Sequence, residues 1–316
     1  MRSALFRLFR RPRQPALTWG LAVCDDVAVH VRSTVLTMLL FDEVADRVRF
    51  DSAVVSPQGQ QCLFCGGAAG CPDGRRIALT CWLPECLLEQ PRFWTGLLLY
   101  EWSDCGCADP VRVPWPFRNL RPANAVWNSE GIQILCLHAV GDNFAPGAIV
   151  SYDPTSDTFQ QETIEPGDSY VVRDVETLGL QEIDGRLVLL NLNSRRAFFI
   201  DSGTQLDYGH GDKQCIIGPS TGGQSVLLHR KDRRNWGLSR LREDGSRELL
   251  RNLKGAGGLE LAHIAVTSNN VTVAVDNYED TWMGLPNELT WLRLALDHSD
   301  AALSAITWKV VRQRGM

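Results

Sequence analysis

The sequence predicts an all-β protein, a single β-propeller of six four-stranded blades, with seven as the alternative count. Three observations lead to it. Residues 214–253 read as four short apolar-bearing runs separated by turn residues, and a four-stranded meander of about 40–45 residues is the size of one blade. Similar units recur along the chain. No long stripe of helical period follows the first dozen residues.

The unit at 214–253 is the template. Its runs are 214–219, 224–228, 236–242 and 247–253. Asp244-Gly245 between the last two is a strong hairpin signal and predicts a tight turn with both residues at positive φ. Five further units follow the same order of turn, apolar strand and second hairpin. Their first turns are Asp25-Asp26, Asp73-Gly74, Glu130-Gly131, Asp184-Gly185 and Asn269-Asn270, with Gly222-Gly223 in the template. These turns recur about every 49 residues, within the range of propeller repeats. The resulting division is a basic tail over 1–16 and a propeller over 17–316. Its blades cover about 17–50, 51–113, 123–163, 175–209, 214–253 and 260–311. The segment 53–65 fits this scheme badly and is either an extra strand of the second blade or part of a seventh. Residues 4–11 read as a short basic amphipathic helix or a frayed tail.

Within that misfit, Ser56-Pro57-Gln58-Gly59 is similar to the Ser-Pro-Asp-Gly turn of TolB-type propellers, and Asp184-Gly185 and Asn269-Asn270 are turns of the same kind. WD-repeat proteins are the other family the pattern resembles, although no Trp-Asp dipeptide occurs. The resemblance implies a propeller and brings no catalytic residue with it.

Composition bounds the function. The net charge of −5 argues against a general nucleic-acid binder. No run approaches the ~20 apolar residues of a membrane span. The first 24 residues have a basic start and a short apolar run ending at Cys24, a weak match to a lipoprotein signal. Val23 stands where a small residue is expected, and the same run also fits as a first inner strand. Ten cysteines, seven of them between Cys62 and Cys107, show no disulfide-scaffold spacing. A reducing cytoplasm with free thiols is the expectation.

In such a blade the links between strands two and three lie on one face of the disc. The other two turns lie on the opposite face. The first, the link face, collects Cys81, His138, Asn191, His229 and Asp276, one from each of five blades. Of these, His138, His229 and Asp276 are the weak candidates for acid–base or metal chemistry at the channel mouth, a hydrolytic or ligand-binding alternative. No tight metal-ligand spacing or nucleophile elbow supports them. On the same face, the fifth link supplies Arg230, Arg233 and Arg234, and the sixth supplies Tyr278, Glu279, Asp280 and Trp282. These form either a pairing of opposite charges or a polarised surface with aromatic anchors for a protein partner. On the opposite face, the turn face, Cys65, Cys71, Cys105 and Cys107 are a candidate structural zinc site; the alternative is thiols packed as small apolar groups. Four prolines over 110–122 predict a stiff connection, with Trp115 and Phe117 plugged between blades. The expectation is a non-catalytic propeller that docks a protein with one face.

Overall fold

The computed structural model describes residues 19–24, 27–32, 37–42, 47–53, 64–82, 95–103, 106–108, 110–173, 175–209, 215–220, 225–231, 235–254, 261–266, 270–275, 288–295 and 306–312. They form six antiparallel sheets, each built from consecutive strands. The first has β1 (Trp19–Cys24), β2 (Val27–Arg32), β3 (Thr37–Asp42) and β4 (Arg47–Ala53). The second has β5 (Phe64–Gly70), β6 (Arg76–Trp82), β7 (Gly96–Ser103), β8 (Gly106–Cys107) and β9 (Val111–Pro114). The third has β10 (Arg121–Asn128), β11 (Gly131–Val140), β12 (Asn143–Asp153) and β13 (Thr158–Thr163). The fourth has β14 (Leu178–Ile183), β15 (Arg186–Asn191), β16 (Arg196–Phe199) and β17 (Gln205–Asp207). The fifth has β18 (Cys215–Pro219), β19 (Ser225–Arg230), β20 (Asn235–Leu241) and β21 (Arg247–Lys254). The sixth has β22 (Leu261–Val266), β23 (Asn270–Val275), β24 (Glu288–Ala295) and β25 (Ile306–Arg312).

First strands carry most of the contacts between sheets; in the fifth sheet the second strand, β19, meets the fourth. β1 lies against β5, β5 against β10, β10 against β14, β14 against β19, β18 against β22, and β22 against β1. That cycle closes a ring with the first strands innermost, and the architecture is a β-propeller. Closure removes the exposed sheet faces that an open stack would leave at its ends.

The strands are apolar on both sides because each sheet is sandwiched between two others. In β11, residues 132–137 are all buried. Ile132, Ile134 and Cys136 join a cluster with Ala69, Ala78 and Leu97 of the second sheet. Leu135 and Leu137, of opposite parity, join Leu178, Leu180 and Leu189 of the fourth. Strict period-two geometry thus sends alternate side chains to different neighbours. Each fully buried aliphatic is worth about 1.5–3 kcal/mol, so these layers dominate the stability. Trp115 and Phe117 pack on the cluster between the second and third sheets, as plugs. They meet Phe159 edge-on at 5.7 and 6.0 Å between centroids.

The structure changes two readings of local geometry. The second sheet has five strands because its outer strand is split: β8 pairs with the end of β7, and β9 with its beginning. The segment 54–63 lies outside the described residues. At Asp244-Gly245 only Gly245 has positive φ, 82°. Arg242 N–H donates to Ser246 O at 3.0 Å and Gly245 N–H to Arg242 O at 3.0 Å. This is the three-residue loop with a glycine bulge, not the two-residue turn. The two-residue form occurs instead at Asp184-Gly185, with φ of 49° and 76°.

Candidate docking face

The link face of the third and fourth sheets is the best described. The β11–β12 hairpin carries Val140, 45% exposed, at its tip. Phe144 of the same hairpin exchanges two backbone hydrogen bonds with Val172, at 2.7 and 2.8 Å. The connection from the third sheet to the fourth is thereby pinned beneath it. The Arg121 guanidinium lies 5.3 Å from the Phe144 ring centroid. Arg118, Arg173 and Arg196 are exposed on this face, and none makes an ion pair with another described residue. Asp142, Glu165 and Asp168 are also exposed, in the β11–β12 hairpin and in the connection to the fourth sheet.

The opposite, turn face carries an ion-pair lattice between the fourth and fifth sheets. Arg186 donates to Asp201 through Nε at 2.8 Å and Nη2 at 2.5 Å, and to Glu243 of the fifth sheet at 2.9 Å. Arg242 of the fifth sheet reaches back to Asp184 at 3.1 Å and also pairs with Glu248. The hydrogen bonds from Arg186 hold the Asp201 carboxyl below its ordinary value of 3.8. All ion pairs between described residues lie on this face.

The two histidines proposed for the channel mouth are placed in the third and fifth sheets, with the fourth between them. His138 Nδ1 lies 2.6 Å from the point where a β-carbon on Gly147 would sit. His229 Nε2 occupies the equivalent space over Gly237, 2.4 Å from such a carbon, and lies 3.2 Å from Ser239 Oγ. Each ring is folded onto its own sheet in a gap left by a glycine. Asn191 is buried and structural: its Nδ2 donates to Ser169 O at 2.8 Å. Arg230 is half-buried, its guanidinium 5.8 Å from the Trp236 ring centroid. Arg233, Arg234, Asp276, Tyr278, Glu279, Asp280, Trp282 and Cys105 lie outside the described residues.

Of the proposed zinc thiolates, Cys65, Cys71 and Cys107 lie on the described backbone. Cys65 pairs with Cys81 near the start of β5, while Cys71 follows its far end. Six extended residues separate them by about 20 Å. Cys107 is in β8, three strands from β5 in sheet order, about 14 Å away. Sulfurs on one zinc must lie within about 4 Å of each other. Cys71 is instead buried in the cluster between the second and third sheets, where burial raises its pKa, and its Sγ accepts from Arg76 Nη2 at 3.4 Å.

No family model matches the chain, and no curated protein matches it. Among the many solved structures to which this chain is similar are three of different kinds. The β-propeller domain of Cps50 (Swd1) from Myceliophteria thermophila is 12% identical, covers 83% of this chain and 80% of its own, and gives a TM-score of 0.45. The SapL1 lectin in complex with alpha methyl fucoside is 9% identical, with 95% and 96% covered and a TM-score of 0.46. The dihydro-heme d1 dehydrogenase NirN is 10% identical, with 94% and 67% covered and a TM-score of 0.41. Their activities are too varied to transfer.

Sequence reasoning missed Arg118, Arg173 and Arg196 as surface cations, and the whole Asp184–Arg186–Asp201–Arg242–Glu243 lattice. Asp184 was visible only as a turn residue. Its partners come from another sheet, and no local pattern encodes that register.

Proposed function

We propose that this propeller is a non-catalytic docking module that takes a protein partner on its link face. One observation carries the reading: the ion pairs between described residues lie on the turn face, whereas Arg118, Arg173 and Arg196, exposed on the link face, have none among the described residues. Arginines with no ion pair among the described residues, on the same face as the exposed apolar tip Val140, suit an interface, where Arg and aromatic side chains dominate affinity. In this reading Arg230, Arg233 and Arg234 extend the basic part of the surface. Glu279 and Asp280 give it polarity, and Tyr278 and Trp282 are its anchors.

The test is quantitative capture by the whole chain. Wild type is compared with Trp282→Ala combined with Arg233→Glu, and with the turn-face variant Arg75→Glu. The expected result is that bound partners fall at least tenfold with the link-face variant, a loss of about 1.4 kcal/mol, and are retained by the turn-face variant. Identical partner sets from all three chains would overturn the reading.

A further inference from the structure

We propose that the β20–β21 hairpin is a clamp that grips the fourth sheet and thereby fixes that sheet's second link, carrying Arg195 and Arg196, on the opposite face of the ring. The hairpin touches its neighbour at four places. Arg242 bonds the Asp184 carboxylate at 3.1 Å. The Glu243 backbone N–H donates to the same carboxylate at 3.0 Å, while its side chain receives Arg186 at 2.9 Å. Gly245 lies so close to Leu206 that a β-carbon there would fall 2.5 Å from Leu206 Cδ1. Arg247 Nη2 donates to the carbonyl of Tyr208.

The last contact reaches across the sheet. β17 has only three residues, so the chain leaves the ladder at once and Tyr208 follows. The Tyr208 N–H donates to Arg195 O at 3.0 Å, and Arg195 Nη1 donates to Gly209 O at 3.2 Å. Gly209 approaches so closely that a β-carbon would sit 2.1 Å from Arg195 Cδ. Arg195 has φ of 56°, a left-handed conformation that costs a non-glycine residue about 1–2 kcal/mol. Such a residue stays there only while its surroundings hold it. Residues 207–209 are part of those surroundings, and Arg247 of the next sheet holds them in turn. The chain of contacts runs from the turn-face lattice through Arg247 and Tyr208 to Arg195. It goes beyond the docking reading and stands whether or not a partner binds there.

Amide hydrogen exchange tests it on the full chain. The reporters are the Tyr208 and Ser194 amides, the latter bonded to Asn191 Oδ1 at 3.0 Å. The controls are amides of the β11–β12 ladder in the third sheet. In Arg247→Gln and in Arg242→Gln the reporters are expected to exchange about tenfold faster, the worth of one charge-assisted hydrogen bond, with the controls unchanged. Wild type in molar sodium chloride, where the screening length is about 3 Å, gives the same selective rise with no substitution. Unchanged reporters in the folded variants and in salt would overturn the clamp. So would an equal rise in the third sheet, because that marks a loss of global stability.

Discussion

A β-carbon on Gly218 would sit 1.9 Å from the Ile264 carbonyl oxygen. Gly218 is in the inner strand β18 and Ile264 in the inner strand β22, so two backbones meet with no room for a side chain. The obstacle is a carbonyl fixed in a ladder and cannot swing away. Gly218→Ala is therefore expected to lower stability by about 1–3 kcal/mol, the usual cost of overpacking. Gly179, also on an inner strand, has its nearest such neighbour at 3.6 Å; Gly179→Ala should be neutral or slightly stabilising. Urea midpoints of the two variants check this, and equal midpoints would show that the inner strands can spread. Gly237 acts at the same scale, on the setting of His229. His229 sits at the end of a second strand, a position that the sequence presents as a mouth residue. Nothing local reveals that the glycine across the ladder leaves a gap for the imidazole, because that depends on register.

Elements were more legible than their partners. Alternating and doubly apolar runs mark the strands, and the Asp-Gly pairs at 73–74 and 184–185 mark turns between first and second strands. The Asp244-Gly245 turn type was misread because a bulge adds one residue without changing the dipeptide. Invisible in sequence is how the inner strands satisfy their open edges. Thr80 Oγ1, fully buried in β6, donates to Ala123 O of the next inner strand at 3.2 Å. Ser225 Oγ in β19 donates to Glu182 O of β14 at 2.5 Å, and Asn124 Oδ1 accepts from the Leu180 N–H at 3.3 Å. A neighbouring side chain thus completes a backbone group that has no strand beside it. Thr80→Val keeps shape and removes the donor. It should cost about 1 kcal/mol or somewhat more, since a buried carbonyl loses its partner. Thr80→Ser, which keeps the hydroxyl, should retain more of that stability. If the valine variant melts with the wild type, the hydroxyl bond contributes nothing.

At the scale of the molecule, each sheet of the ring is built from consecutive strands among the described residues. β1–β4 come wholly from the start of the chain and β22–β25 wholly from its end. Among the described residues the first and last sheets meet where β1 lies against β22, so closure rests on that seam. An open repeat array tolerates loss of a terminal unit, because each repeat leans only on its neighbours. A ring does not: removing the first sheet uncovers the faces of both the second and the sixth. A chain lacking residues 1–53 is therefore expected to lose its single cooperative melt, followed by circular dichroism, and to bind a hydrophobic dye. A truncated chain that stays monodisperse and melts in one sharp transition near that of the full chain would show that the sheets behave as an open stack and that the β1–β22 contact contributes little to their stability.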